Sequence, residues 1–393
     1  MIMVSSRPET DTLTMPTSSV ASIQTHFASL SDPRSDHTKQ HLLLDIIVIA
    51  FAAIICGADN WVEVQAFGEA KREWFQRFLP LPNGIPSHDT FGDVFARLDP
   101  EEFRACFLSW VQAVMTVTQG QVVAFDGKTV RRSHDRRLGK SAIHMVSAWA
   151  QTNRLVLGQV KVDEKSNEIT AIPALLRLLD VAGCIVTIDA MGTQTAIAEQ
   201  IVAQGADYVL AVKDNQERLA EDVATTFAEA ERVQFKHVPH EYAKTVDKGH
   251  GRIETRECWT IAREDYVEAL RTHDAWSSLR SLTLVRATRQ MGDEVTVFTR
   301  YYISSLDGQA ARLLEATRSH WGIENDLHWS LDIAFREDES RVRTGHGPEN
   351  LAVLRHMALN VLKQEKTAKV GLKAKRLKAG WDETYLLRLL AAP

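Results

Sequence analysis

Two apolar runs that each end in an aspartate constrain the fold of this chain more than any other feature. Val122 to Phe125 leads into Asp126, and Cys184 to Ile188 leads into Asp189. Short apolar runs bounded by polar residues are typical of buried β-strands. If the two strands are neighbours, the carboxylates lie side by side and repel unless a cation separates them or a pKa rises. The pair therefore predicts a site for a hard divalent cation, Mg²⁺ or Mn²⁺.

Each aspartate also fits a structural role when it is considered alone. Asp126 precedes Gly127, and an Asp-Gly pair is common in the turn after a strand. Asp189 precedes a helical segment and could cap it. Only the occurrence of both on similar strands favours a shared site.

The segments around these runs predict an α/β fold. From Gln121 to Arg232, strand-like and helical segments alternate, which indicates a mixed sheet with helices on both faces. Residues 236 to about 305 alternate like antiparallel strands and are interpreted as a β-rich insertion. The further predicted strands are 144–150, 155–162, 207–212, 252–261, 281–289 and 295–304, and the helices are 169–179, 193–204, 215–232, 307–333 and 349–364.

The two ends of the chain differ from this central part. Residues 1–22 are rich in Ser, Thr and Pro and are predicted to be a disordered leader. Residues 23–117 predict an all-helical N-terminal domain, 118–365 the α/β domain and 366–393 a basic C-terminal tail. Two short helices near 87–98 and 99–114 fit either a DNA-binding helix-turn-helix or a plain helical bundle.

Composition limits the possible classes of function. The 45% hydrophobic and 25% charged residues are typical of a globular protein, and the net charge of -5 excludes a generally basic nucleic-acid coat. The four cysteines are far apart and form no C-x-x-C pair, so we expect reduced core residues. The apolar stretch 42–56 contains Asp45 and is short for a membrane span. With no secretory signal pattern, these features predict a cytoplasmic protein that is not bound to a membrane.

A distant helix could supply a third carboxylate. His320, Glu324 and His328 recur every fourth residue, so an α-helix would place them on one face. Glu324 facing the sheet would need a partner, for which a metal ion is the candidate. Three alternatives stay open from the residues alone: a zinc site with both histidines, Asp326 or Asp332 as the ligand, and a solvated polar face.

Basic residues near these positions are candidate phosphate contacts. Lys128 to Lys140 contains six Lys or Arg and one Asp directly after Asp126, and Lys363 to Lys378 contains seven with one acidic residue. Trp321 and Trp329 could stack on a base, although core packing is the commoner role. The residues predicted to contact phosphate are Lys128, Arg131, Arg132, Lys213, Arg318, His320, Arg341 and Arg343.

Several short motifs together resemble the ISAs1-family transposases of bacterial insertion sequences, a group that includes the H-repeat-associated proteins. The resemblance covers residues 26 to about 365. It is carried by Asp126-Gly127-Lys128, Thr187 to Gln194, Lys213 to Gln216, His250 to Arg256 and His320 to Asn325.

This resemblance implies a ribonuclease-H-like core with the β-rich insertion before the glutamate-bearing helix. It also implies a catalytic triad of Asp126, Asp189 and Glu324 that holds two Mg²⁺ or Mn²⁺ ions. The implied reaction is metal-dependent DNA cleavage and strand transfer. The implied partners are double-stranded DNA, as terminal inverted repeats and target, and a second copy of the chain. The alternatives are a nuclease without strand transfer and a catalytically silent DNA-binding remnant.

The sequence departs from related transposases around the glutamate. There a tyrosine, an arginine and a lysine flank it, whereas the corresponding positions here hold Thr317, His320 and Leu331. We expect His320 or Arg318 to replace the DNA-gripping residues of that pattern.

Overall fold

One mixed β-sheet organises the chain. The computed structural model describes residues 21–114, 120–134, 141–162, 167–249 and 251–391, so nearly all of the predicted leader lies outside the described residues. The strands are β1 (Val122–Thr129), β2 (His144–Ala150), β3 (Leu155–Lys161), β4 (Ile185–Ile188), β5 (Asp207–Val212), β6 (Glu241–Gly249), β7 (Arg252–Ile261), β8 (Ser281–Met291) and β9 (Glu294–Ser304).

The strand order is β3-β2-β1-β4-β5-β9-β8-β7-β6. β1 pairs antiparallel with β2 and parallel with β4, and β4 pairs parallel with β5. This is the ribonuclease-H-like arrangement that the resemblance implied. The predicted insertion does form antiparallel strands, but β9 pairs with β5, so they extend the same sheet. β6 was not predicted because it has no buried face and hence no apolar alternation.

Helices cover both faces of the sheet and extend beyond it. They are α1 (Ala21–Phe27), α2 (Leu43–Cys56), α3 (Trp61–Ala70), α4 (Arg72–Phe75), α5 (His88–Arg97), α6 (Pro100–Val114), α7 (Glu168–Leu178), α8 (Thr195–Ala203), α9 (Glu217–Arg232), α10 (Glu264–Glu268), α11 (Ala310–Gly322), α12 (Trp329–Ala334), α13 (Gly347–Gln364), α14 (Leu372–Trp381) and α15 (Glu383–Leu390). A π-helical turn, Ile323–His328, joins α11 to α12.

Helix α13 joins the N-terminal helices to the sheet. Nearly every residue of α13 is buried. The amide of Asn350 donates to the carbonyls of Phe95 and Leu98, at 2.9 and 3.1 Å. At the sheet, Asn360 bonds both the N–H and the carbonyl of Val156, at 2.8 and 3.0 Å. Because the α1–α6 region packs on this helix, it shares one hydrophobic core with the C-terminal part of the chain.

The C-terminal segment is a helical part of this core. Its α14 and α15 pack against α2 and α13, which differs from the basic tail that the charge run predicts. Lys375 Nζ donates to the carbonyl of Leu362 at 2.9 Å, and Arg376 donates to that of Ile54 at 2.8 Å. Both side chains are buried, so these two cations cap helix carbonyls instead of facing solvent.

The helical pair α5 and α6 resembles a bundle more than a DNA-reading element. Ser87 caps α5 and Asp99 caps α6, as the sequence predicts. The face of α6 opposite its buried Phe103 and Phe107 exposes Glu101, Glu102, Ala105, Ser109, Gln112 and Ala113. That face contains no Lys or Arg, so it lacks the charge that a recognition helix presents to DNA.

All four cysteines are free thiols, and three of them are buried. Among the described residues, no single helix is long and apolar enough to cross a membrane, and only α2 and α3 together, bent by 97°, pass that test of length and composition.

Candidate active site

The two predicted aspartates lie at the point where β1 and β4 part. The last paired residues are Phe125 and Ile188, so Asp126 and Asp189 follow at equivalent positions of adjacent parallel strands. β1 itself continues to Thr129 along β2, so Asp126 lies within a paired strand and not at its tip. Since side chains alternate along a strand, Asp126 shares the face of Ala124, which packs with the α11–α13 side.

Hydrogen bonds fix the turn that carries Asp189. Its Oδ1 accepts from the N–H of Gly192 at 3.2 Å, and Thr193 Oγ1 donates to its carbonyl at 3.1 Å. The same hydroxyl lies 2.6 Å from the carbonyl of Ala211 on β5, and Asn215 donates to the carbonyl of Ala190 at 2.6 Å. These bonds tie the Asp189 turn to the neighbouring strand, so the carboxylate has a defined position.

Glu324 lies on the π-helical turn and faces the same edge of the sheet. Nearby, His320 Nδ1 lies 3.1 Å from Thr187 Oγ1 on β4, and His328 Nδ1 lies 3.6 Å from Asp126 Oδ2. The Glu324 side chain lines a cleft of about 140 Å³ with Asp189, Lys213 and Arg300. The predicted face of His320, Glu324 and His328 is therefore directed at β1 and β4, although the helix there is not uniformly α-helical.

Burial and mutual repulsion raise the pKa of all three carboxyl groups. Burial is the largest cause for Asp126, whose pKa rises to about 7, and Glu168, Asp189 and Glu324 add to it in that order. Burial also raises the pKa of Asp189, and Glu168 contributes again. For Glu324, burial and Asp189 raise the pKa, while Arg300 opposes them. The site is thus a cluster of carboxylates whose repulsion is only partly offset by Lys213 beside Asp189 and Arg300 beside Glu324.

We predict a pH-dependent stability that depends on Asp126. Its pKa of about 7 exceeds its ordinary value of 3.8, so protonation favours the folded state. Its contribution to the free energy of unfolding is fully present below about pH 4 and is lost as the pH rises through about 7, amounting to at most about 4 kcal/mol. In urea unfolding with EDTA, Asp126→Asn should therefore flatten the decline between about pH 5 and about pH 8. Identical slopes for the variant and the wild type would contradict the assignment.

The chemistry of the donor atoms fits a hard divalent cation. Carboxylate oxygens are the ligands that Mg²⁺ and Mn²⁺ prefer. The buried Nε2 of His328, on the ring beside Asp126, has no hydrogen-bond partner among the described residues. Within the same residues, however, no three His, Cys, Asp or Glu side chains already form a metal-binding group. The carboxylates are therefore neighbours whose oxygen atoms would have to move closer together to coordinate one cation.

The alternative ligands suggested by the sequence have other partners. Asp326 pairs with Lys363 at 3.4 Å, and Asp332 pairs with Lys128 at 2.8 Å. His320 and His328 contact different strands, and burial lowers the pKa of each to about 4. This arrangement disfavours a zinc site built on both histidines.

Two of the predicted DNA-contacting residues have roles within the protein. Lys128 Nζ lies 2.8, 3.0 and 3.3 Å from carboxylates of Asp332, Glu337 and Asp338, and its side chain is 11% exposed. His320 is neutral and bonded to Thr187. Neither presents a free positive charge to a phosphate, in contrast to the roles that the sequence predicts.

The other predicted contacts lie nearer to solvent. Arg131 pairs with Asp338 at 3.1 Å but stays 79% exposed, and Arg318 pairs with Asp247 at 2.9 Å. Arg343 donates to the carbonyl of Arg132 at 2.9 Å. Lys213 is exposed beside Asp189, and the remaining exposed members are Arg132 and Arg341.

Sequence reasoning missed a groove beside the Glu324 helix. It has a volume of about 800 Å³ and lies between α11 and the β6–β7 hairpin. Its lining is mixed in charge: the basic residues are Lys248, Arg252, Arg256, Arg312 and Arg318, and the acidic ones are Asp247, Glu254, Glu315 and Asp326. Arg300 lies 4.4 Å from the ring centroid of Trp321, which also borders the groove. The motif 250–256 pointed to this hairpin, but only the fold brings it next to α11.

Comparison with protein families identifies the chain. The model of the Transposase DDE domain matches residues 118–361, which include the three carboxylates, and the DDE_Tnp_1-associated model matches residues 24–111. The chain belongs to the DDE transposase family. The first match covers more than half of the chain, and the second coincides with the N-terminal helices.

Relatives of this DDE transposase align over nearly their whole length. The "H repeat-associated putative transposase YhhI" of Escherichia coli K12 is 38% identical over 93% of this chain and 97% of that protein. The "Putative transposase YncI" of Escherichia coli O157:H7 is 40% identical over 95% of both chains. Among solved structures, the chain is similar to one chain of the piggyBac transposase synaptic complex with hairpin DNA. That match covers 95% of this chain and 77% of the other, at 11% identity and a TM-score of 0.41.

Proposed function

We propose that this DDE transposase cuts DNA at the ends of an insertion sequence and joins those ends to target DNA. The observation that carries the proposal is the convergence of Asp126, Asp189 and Glu324 at one edge of the sheet, within the residues that match the Transposase DDE domain. Their proposed role is to hold two divalent cations when DNA is bound, one for the attacking oxygen and one for the leaving oxygen.

The reaction is phosphoryl transfer in two stages. Water attacks a phosphodiester at the transposon end, and cleavage leaves a 3′-hydroxyl and a 5′-phosphate. That 3′-hydroxyl then attacks a target phosphodiester and displaces its 3′-oxygen, so the number of phosphodiester bonds is unchanged in the joining stage. Bound Mg²⁺ or Mn²⁺ would supply Lewis-acid stabilisation of the attacking and leaving oxygens.

The residues of the chain position these groups. The paired strand fixes Asp126, and the hydrogen-bonded turn fixes Asp189. Lys213, exposed beside Asp189, is the proposed contact for the phosphate next to the cleaved bond. Arg131, Arg132, Arg318 and Arg341 would contact phosphates farther along double-stranded DNA, and Lys248 and Arg312 in the groove beside α11 are further candidates.

We further propose that two copies act together when they assemble on DNA, one at each terminal inverted repeat. Chromosomal DNA as the substrate implies action in the cytoplasm at the nucleoid. The acidic net charge of -5 agrees with DNA contact through local patches and not through the whole surface.

The experiment is cleavage and strand transfer by the full-length protein on labelled DNA that carries the inverted repeats flanking its gene, with Mg²⁺. We expect both cut ends and joined products. Cleavage without joining would favour a nuclease without strand transfer. Binding without cleavage would favour a catalytically silent remnant, a state with a counterpart in the "Inactive transposase YbfQ" of Escherichia coli, which matches only 18% of this chain at 32% identity.

A further inference from the structure

We propose that Glu168 is a fourth carboxylate ligand of the metal site and that His144 is its positioning residue. The inference rests on the proposed function, because it adds a ligand to the same site. It concerns a side chain from the opposite face of the sheet, outside the three carboxylates already described.

Glu168 reaches the site from helix α7. It is the first residue of that helix, after the N-cap Asn167, whose side chain accepts from the N–H of Ile169 at 3.1 Å. Helix α7 packs on β2 and β3, on the face of the sheet that also buries Val123 and Phe125. Asp126 belongs to the other face, so Glu168 supplies negative charge from the side that the triad does not cover.

Gly127 makes this approach possible. A Cβ atom at Gly127 would lie 2.0 Å from Glu168 Oε1 and 2.4 Å from His144 Nε2. The carboxylate therefore occupies the space that any other side chain would fill, directly beside the backbone that follows Asp126. This close contact gives a physical reason for glycine at this position.

His144 fixes the orientation of the carboxylate. Its Nε2 lies 2.6 Å from Glu168 Oε1, and its Nδ1 lies 2.8 Å from Thr129 Oγ1. Because a carboxylate only accepts, Nε2 carries the proton, and in the neutral ring Nδ1 accepts from the hydroxyl of Thr129. Thr129 and His144 are also cross-strand partners, so the ring is held by paired strands. The bond uses Oε1 and leaves Oε2 for a cation.

Charge around Glu168 supports a ligand role. Its side chain is 13% exposed, and His144 is its only ion-pair partner among the described residues. Its carboxylate lies against the backbone of Gly127, directly after Asp126, and Asp189 follows the equivalent position of the adjacent strand. Without a cation, a carboxylate beside Asp126 adds repulsion between like charges, and a shared cation would remove that repulsion.

The test is binding of Mn²⁺ to the metal-free, full-length protein, measured by calorimetry and by the electron paramagnetic resonance of free Mn²⁺. We expect Glu168→Gln to weaken Mn²⁺ affinity at least about tenfold. Glu199→Gln, the same charge change on an exposed residue of α8, should match the wild type. Wild-type affinity in Glu168→Gln would overturn the inference and leave the proposed function standing. If the wild type itself binds no Mn²⁺, both fail.

Variants of the neighbours separate a ligand role from a purely structural one. His144→Ala should weaken Mn²⁺ binding, and His144→Gln should restore it, since the amide can donate to Glu168. Gly127→Ala should displace Glu168 and weaken binding, whereas Gly249→Ala, with no atom within 4 Å of the added Cβ, should not. Thermal unfolding without metal checks that each variant folds. Loss of stability with unchanged Mn²⁺ affinity in both His144→Ala and Gly127→Ala would make the Glu168–His144 pair structural and overturn the proposal.

Discussion

Asp189→Ala and Glu324→Ala should each abolish DNA cleavage while DNA binding is retained. Each change removes a proposed cation ligand, and since loss of a residue that merely orients a ligand costs about 10–100-fold, loss of a ligand should exceed about 100-fold. Binding should persist because the proposed phosphate contacts are separate side chains. Single-turnover cleavage of labelled end DNA measures the first effect, and a mobility-shift titration the second.

Asp326→Ala is the matched control for Glu324→Ala. It removes a carboxylate from the same helical turn, but one that pairs with Lys363 at 3.4 Å. We expect it to cleave DNA at a rate near that of the wild type. Full activity in Glu324→Ala would remove Glu324 from the site, and a selective loss in Asp326→Ala would assign the third carboxylate to Asp326.

Lys128→Met should lower the free energy of unfolding by up to about 3–5 kcal/mol, because it takes from the buried Glu337 carboxylate the nearer of its two cations. The side chain of Glu337 is 3% exposed and depends on Lys128 at 3.0 Å and Arg355 at 3.7 Å. Burial alone would raise the pKa of Glu337, yet these cations hold it below its ordinary value. Urea unfolding at neutral pH measures the effect.

Arg131→Met serves as the control for Lys128→Met. Arg131 belongs to the same basic run and contacts the same Asp338, but it is 79% exposed, so we expect a change of less than about 1 kcal/mol. If Lys128→Met unfolds like the wild type and instead loses DNA affinity, Lys128 contacts phosphate after all.

The central strands were predictable because their burial on both faces leaves continuous apolar runs. Val122 to Phe125 and Ile185 to Ile188 are buried throughout, and their pairing places Asp126 beside Asp189. The outer strand Glu241–Gly249 was not predictable in this way. It is exposed or half-buried along its length, so its sequence lacks the alternation of apolar and polar residues that a strand with one buried face shows.

Charge patterns predicted the site less well than apolar patterns did. The run after Asp126 predicts phosphate contacts, but it cannot show that Asp332, Glu337 and Asp338 neutralise Lys128 across about 200 residues of sequence. In the same way, the basic run near the C-terminus contains Lys375 and Arg376, whose carbonyl partners come from distant helices. Glu168 gave no local signal, because its place beside Gly127 depends on the packing of α7 against the sheet.

The π-helical turn Ile323–His328 makes the length of this segment as important as its composition. A π-turn contains one residue more than an α-helix needs for the same advance. His320 before Glu324 contacts Thr187, and His328 at the end of the turn contacts Asp126. Deleting one residue, such as exposed Asn325, would convert the turn to regular α-helix and change the direction in which Glu324 projects between His320 and His328. The segment should therefore accept substitutions at Asn325 far more readily than a one-residue deletion there.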